Sequence, residues 1–332
     1  MTSLAVSLGD PAGVGPELLC RAWLQRESEA LPLFFVVGGA KVLAQAAEAL
    51  GLNVPVSRIA HPQDAAAHFA SALPVLGRLD GAYSPGKPDP EGARLALQSL
   101  EAATRLAIGE EATGVVTSPV SKALLAEVGF SHPGQTEFLA HACSVAEQDA
   151  VMMLAGPQLR TVPVTVHIPL CQVAEQLNVD ELVAKSRIAA RALQRDFGIA
   201  EPRLALAALN PHAGEKGNFG HEEERIITPA IAALRAEGIS ASGPHPADAL
   251  FTARARATYD VAICMYHDQA LIPLKTLDFD NGVNMTLGLP IVRTSPDHGT
   301  AFDIAGSGKA EPGAMIAAIR MAGEAAAARA AS

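Results

Sequence analysis

Three separate strand-like runs in this chain end on a histidine, and that recurrence constrains the fold more than any other feature. Val261-Ala262-Ile263-Cys264-Met265 runs through Tyr266 into His267-Asp268-Gln269; Thr161 to Val166 is β-prone and ends at His167; Leu204 to Leu209 ends at Asn210-Pro211-His212. An unbroken apolar run of this length is the pattern of a strand buried on both faces, which needs helices above and below it. In an open α/β sheet, ligands bind outside the carboxyl ends of the strands. The three histidines therefore stand where such a sheet does its chemistry.

Composition supports the same class. The 332 residues are enough for one large domain or two ordinary ones. Hydrophobic residues make up 49% but aromatics only 4%, so the core is built from Ala, Leu, Val and Ile, which suits helices packed on a sheet better than a β-sandwich. A net charge of -10 with no dense Lys/Arg block argues against nucleic acid as a partner. Cys20, Cys143, Cys171 and Cys264 form no C-x-x-C pair and are expected as small core residues of a reduced, intracellular protein. No basic-then-apolar leader and no membrane-length apolar run is present, so a cytoplasmic protein without a membrane partner is expected.

Along the chain, strands are expected at Leu4 to Leu8, Leu33 to Val37, Gly114 to Thr117, Val283 to Thr286 and Ile291 to Thr294, besides the histidine-bearing runs. Val151 to Leu154 and Thr161 to Val166 are expected to pair through Gly156-Pro157, interrupting a purely parallel sheet. Helices are expected at Ala40 to Leu50, from Asp89-Pro90-Glu91 to Ile108, at Asp180 to Phe197 with Gly198 as its cap, at Glu222 to Glu237 and at Pro312 to Arg329. The Pro- and Gly-rich stretch 53–87 reads as surface strands and loops. Two lobes are expected, 1–135 with 295–332, and 136–294.

Three neutral imidazoles with an open position form a standard catalytic metal site. Zinc suits such ligands, with cobalt, nickel and manganese as alternatives. A single strand-end histidine is more often structural; three in matching positions raise the metal reading to parity. Asp268 and Asp248 are candidates for the carboxylate that metal-bound imidazoles usually need on the second ring nitrogen. Lys275, Asn284 and Arg293 read singly as ordinary surface and turn residues, and jointly as donors for an anionic substrate. Thr136 is suited to cap a helix or to offer its hydroxyl to a ligand. Gly9-Asp10-Pro11-Ala12-Gly13-Val14-Gly15-Pro16-Glu17 reads equally as a cofactor loop, with Gly13 and Gly15 near the ligand, and as a strand-to-helix turn. It lacks the G-x-G-x-x-G spacing.

A second glycine-rich stretch, Asp297-His298-Gly299-Thr300-Ala301-Phe302-Asp303-Ile304-Ala305-Gly306, resembles a segment that lies against the nucleotide in isocitrate and isopropylmalate dehydrogenases. Together with the first loop, Gly134-Gln135-Thr136-Glu137-Phe138, Leu209-Asn210-Pro211-His212-Ala213-Gly214-Glu215 and Tyr266-His267-Asp268-Gln269, it makes the chain resemble the 4-hydroxythreonine-4-phosphate dehydrogenase family from first strand to last helix. The resemblance implies a two-lobed α/β/α fold of the isopropylmalate dehydrogenase type with a mixed, mostly parallel sheet. It implies NAD- or NADP-dependent oxidation of 4-phosphooxy-L-threonine, a small phosphorylated amino acid, followed by decarboxylation to 3-amino-2-oxopropyl phosphate on the route to vitamin B6. It further implies one divalent metal (Zn, Mg, Co or Mn) on His167, His212 and His267, and a homodimer with that site at the subunit boundary. Substrate contacts are implied at Gln135, Thr136, Lys275, Asn284 and Arg293, catalytic roles at Lys275, Asp268 and Asp248, and nucleotide contacts at Gly13, Gly15, His298, Gly299, Asp303 and Gly306. Where the family usually has histidine this chain has Gln135, which hydrogen-bonds but carries no proton charge near neutral pH. That departure keeps open a sister dehydrogenase for threonate or erythronate 4-phosphate or an aromatic cis-dihydrodiol carboxylate. The histidines alone would also serve a metal-dependent hydrolase or aldolase, and the scaffold a silent binding protein.

Overall fold

The computed structural model describes residues 3–331. It divides into two compact units, Met1–Glu147 with Leu289–Ala327, and Gln148–Gly288 with Ala328–Ser332. In chain order the first unit contains β1 (Leu4–Ser7), α1 (Gly15–Leu24), β2 (Phe34–Val37), α2 (Ala40–Ala49), β3 (Val56–Ile59), β4 (Leu73–Leu76), α3 (Pro90–Ile108), β5 (Val115–Val116), α4 (Lys122–Glu127) and α5 (Gln135–Ala142). The second contains β6 (Val151–Ala155), β7 (Arg160–Thr165), α6 (Val179–Phe197), β8 (Arg203–Ala207), α7 (Thr228–Ala236), β9 (Ser240–His245), β10 (Val261–Tyr266), α8 (His267–Asp278) and β11 (Val283–Leu287). The chain then returns to the first unit with β12 (Arg293–Pro296) and enters α9 (Gly313–Ala331).

In the first unit the strand order is β3-β4-β2-β1-β5-β12, with every pair parallel. The stretch 53–87 supplies two strands of the parallel sheet, the partly exposed edge strand β3 and the mostly buried β4, joined by surface loops. The apolar run Phe34–Val37 is fully buried, as a strand covered on both faces must be. Ser99 of α3 ties the sheet at its carboxyl end: its Oγ accepts from Leu8 N at 2.8 Å and donates to Val37 O at 2.6 Å. Helix α5 belongs to this unit although the sequence suggests a boundary before it. Its Phe138 packs on the cluster Ala96, Leu100, Leu125 and Phe130, and that apolar contact holds the helix there.

The second unit has the order β11-β6-β7-β10-β8-β9. Strands β6 and β7 form the expected antiparallel hairpin, with Gly156 N bonded to Leu159 O, and β11 adds antiparallel to β6. From β7 onward the pairs are parallel. Gly198 closes α6 in the left-handed cap position that the sequence predicts. Just before it the buried Asp196 accepts from Arg195 Nε at 2.7 Å and from Arg329 Nε at 2.6 Å, tying the end of α9 to α6. Desolvation works against the carboxylate, but the two guanidiniums win and hold its pKa below the usual carboxylate range. The stability this supplies is therefore full above the ordinary carboxylate pKa and lost as pH falls through the lowered one. Arg329→Met should cost about 3 kcal/mol, a fall of roughly 4 °C in Tm, and move acid unfolding to higher pH; thermal melts by circular dichroism across pH 3–7 check both.

Cys20 and Cys264 are the core residues expected of them, whereas Cys171 is exposed on the segment after β7. No helix among the described residues is long and apolar enough to cross a membrane.

Candidate active site

Strand order explains why separate histidines can share a site. β10 lies between β7 and β8, so three neighbouring parallel strands point their carboxyl ends the same way. His267 follows β10 directly, His167 comes two residues after β7, and His212 five residues after β8. The rings of His167 and His267 meet with centroids 5.8 Å apart. His267 Nδ1 lies 3.1 Å from Asp268 Oδ1. With a carboxylate as acceptor, Nδ1 carries the proton and the Nε2 lone pair is left for a metal. Of the two aspartates considered, Asp268 is the one in contact with this ring; Asp248 is exposed in a short helix after β9.

His212 behaves differently from its two counterparts. Among the described residues no three His, Cys, Asp or Glu side chains gather closely enough to hold a metal ion. Its longer exit from β8 carries His212 onto a turn where its ring meets Phe219, centroids 6.0 Å apart. His212, Ala213, Gly214, Glu215 and Lys216 all have left-handed φ, between 40° and 75°, and His167 has φ 52°. Each such non-glycine residue costs about 1–2 kcal/mol, so the surroundings must impose the turn. Glu223 does so: Oε1 accepts from Leu209 N at 2.9 Å and Asn210 N at 2.7 Å, and Oε2 from Asn210 Nδ2 at 3.0 Å. The acidic start of the helix expected from Glu222 is thus a clamp on the histidine turn.

Two further side chains brace the strand ends where the ladder runs out. Gln269 accepts from Met265 N and donates to Ala208 O, each at 2.7 Å, bridging β10 and β8; Thr165 Oγ1 donates to Met265 O at 2.8 Å, bridging β7 and β10. Their positions beside the histidines were visible in the sequence, but their partners come from other strands. His245 is another strand-end histidine that pattern reading missed, because the Ser- and Gly-rich β9 carries no apolar run. Its Nε2 lies 2.9 Å from Ser242 Oγ, and burial lowers its pKa, so it stays neutral.

The residues considered for substrate divide between the units. In the second, Lys275 lies on α8 two turns beyond His267, on the same face, and Asn284 on β11 has a buried Oδ1 with no hydrogen-bond partner. In the first, Arg293 opens β12 and is buried; its Nη2 donates to Thr117 Oγ1 at 2.8 Å and to Gln135 Oε1 at 3.2 Å. Gln135 Nε2 donates to Ser118 O at 3.4 Å, which turns the amide oxygen toward the arginine. Burial lowers the Arg293 pKa to about 10, with Glu137 pulling the other way. A guanidinium desolvated this far makes strong, charge-assisted hydrogen bonds to an anion. Thr136 is not the cap of α5: Gly134 takes that position, and Thr136 sits half-buried in the first turn.

The two glycine-rich loops are stacked on each other, which changes the reading of the first. Gly13 and Gly15 are buried; a Cβ on Gly13 would stand 2.8 Å from Thr300 O, and one on Gly15 3.0 Å from Leu8 O. Their missing side chains allow this close packing against protein backbone. Gly306 likewise turns its N–H inward, to Glu17 Oε2 at 2.9 Å. His298, Gly299 and Asp303 are exposed, and a Cβ on Gly299 would meet nothing.

Comparison with known proteins agrees along the whole chain. The profile of the family described as "Pyridoxal phosphate biosynthetic protein PdxA" matches residues 30–322. A protein of Erythrobacter litoralis named 4-hydroxythreonine-4-phosphate dehydrogenase is 64% identical over 327 residues, covering 98% of this chain and 97% of its own. The crystal structure of the Klebsiella pneumoniae protein of that name superposes with a TM-score of 0.85 at 37% identity, covering 98% of this chain and all of the other. A terephthalate 1,2-cis-dihydrodiol dehydrogenase from Burkholderia xenovorans gives 0.66 at 29% identity over 97% of this chain and 98% of its own. The chain belongs to the PdxA family of pyridoxal phosphate biosynthetic proteins.

Proposed function

We propose that this chain is a cytoplasmic, NAD-dependent dehydrogenase that oxidises 4-phosphooxy-L-threonine, with loss of carbon dioxide, to 3-amino-2-oxopropyl phosphate. One observation carries the reading: similarity to 4-hydroxythreonine-4-phosphate dehydrogenases extends over nearly the whole of both chains. The site residues fit it. Arg293, oriented by Thr117 and Gln135, binds an anionic group of the substrate, and Thr136, in the first turn of α5, offers it a hydroxyl. Asp268 keeps the proton on His267 Nδ1. Oxidation removes a hydride from the hydroxyl-bearing carbon, for which a nicotinamide would be the acceptor, and a proton from its oxygen, which is released to solvent. The histidines would hold a divalent ion, which would supply Lewis acidity toward the substrate hydroxyl, and an imidazole set favours zinc or cobalt over magnesium. When the bond to the carboxylate breaks, its electron pair stays on the adjacent carbon, and Lys275 passes a proton there as the product forms.

A homodimer is part of the proposal. Leu170, Phe219, Ile272 and Phe279 are large apolar side chains left exposed on the segments that follow the histidine-bearing strands. Exposed apolar groups of this size mark protein contacts, and among the described residues one chain alone does not close the donor set. The test is NADH absorbance with 4-phosphooxy-L-threonine, with and without chelator. Chelator-sensitive NADH formation is expected; none with this substrate but a signal with threonate 4-phosphate or a cis-dihydrodiol carboxylate would overturn the substrate assignment. The dihydrodiol dehydrogenase likeness makes that the comparison to run.

A further inference from the structure

We infer that Glu17 is a positioning residue that holds the second glycine-rich loop in its nucleotide-binding shape. The inference rests on the reading above that this loop seats the nicotinamide cofactor. Helix α1 and the residue before it grip the loop at three points: Val14 N donates to Thr300 O at 2.9 Å, Glu17 Oε2 accepts from Gly306 N at 2.9 Å, and Arg21 Nη2 donates to Gly308 O at 2.8 Å. Gly306 and Gly308 both have left-handed φ, 72° and 73°, so the loop follows a path that its own residues do not impose. A Cβ on Gly306 would stand 2.8 Å from Pro85 and 3.3 Å from the Tyr83 hydroxyl, so the loop is pressed onto that segment as well.

Glu17 is an expensive residue to keep in this place. It is fully buried, and its Oε1, the Tyr83 hydroxyl and Arg21 Nε are all buried without a hydrogen-bond partner. A buried carboxylate with one oxygen unsatisfied is destabilising unless its other contact matters. That contact is the Gly306 amide. It anchors the turn that carries exposed Asp303 on one side and joins Gly308 on the other, while His298 and Gly299 are exposed just upstream of the Thr300 contact. Glu17 therefore acts on the cofactor through the loop and touches no reacting atom.

The test uses the full-length protein and the variants Glu17→Ala, Glu17→Gln and Arg21→Met, the last retaining packing should the alanine variant fail to fold. Hydrogen exchange is followed by mass spectrometry over residues 300–309, NADH binding by fluorescence titration, and zinc binding by calorimetry. Glu17→Ala and Arg21→Met should speed exchange in that segment and weaken NADH about tenfold, raising KM for NAD by the same factor. Zinc affinity and kcat at saturating nucleotide should stay within about twofold of the parent. Glu17→Gln keeps an oxygen for the Gly306 amide and should restore both signals. Unchanged exchange in both variants overturns the inference. Faster exchange with unchanged NADH affinity instead overturns the reading that the loop seats the nucleotide.

Discussion

Replacing His267 by alanine is expected to remove zinc binding and to lower turnover by about a thousandfold or more. Among the strand-end histidines described above, His267 is the one with a carboxylate already in place, Asp268 at 3.1 Å from Nδ1, and its ring faces His167. The alanine removes a donor and leaves that carboxylate without its partner. Calorimetric zinc titration and NADH formation should fail together, while the melting temperature changes little because the side chain is partly exposed. Asp268→Asn should do less, weakening metal about 10- to 100-fold, since an amide oxygen still accepts from Nδ1. An alanine variant that turns over at the parent rate without metal would sink the scheme.

Arg293→Lys should raise KM for the phosphorylated substrate about a hundredfold, although charge is conserved. The guanidinium reaches Thr117 and Gln135 with one nitrogen, and its planar fork suits two-point recognition of an anion in a way that an ammonium does not. Losing one desolvated, charge-assisted contact costs roughly 2–5 kcal/mol, of which lysine recovers only part. Burial already holds this cation at about 10, so a bound anion should raise its pKa and stabilise the fold. Inorganic phosphate should accordingly raise the Tm of the parent protein and not that of Arg293→Met. Initial-rate kinetics and thermal shift with phosphate give both readouts. Equal shifts in the two proteins would place the anion site elsewhere.

Much of the site was legible because buried parallel strands write themselves as unbroken apolar runs. Val261 to Met265 is such a run and Thr161 to Val166 is β-prone, so His267 and His167 are placed by the ends of their strands. Gly198 and the Asp89-Pro90 helix start were legible for a similar reason, since φ preference and capping are local. β9 was not, because Ser240 to His245 carries no hydrophobic pattern and is held as a strand by its pairing with β8. Nor were Glu223, Gln269 and Glu17, whose hydrogen bonds reach segments that sequence distance does not predict.

Residue order was enough to specify an α/β chain with a mostly parallel sheet and histidines at three strand ends. Which of those histidines meet depends on the folded arrangement. Strand order puts β10 between β7 and β8, so His267 pairs with His167, whereas the left-handed turn after Asn210 takes His212 to Phe219. The same arrangement packs Gly13 and Gly15 against backbone of distant segments. One cause underlies each case. Periodicity and turn chemistry act over a few residues, whereas strand order and loop stacking depend on which distant surfaces bury each other.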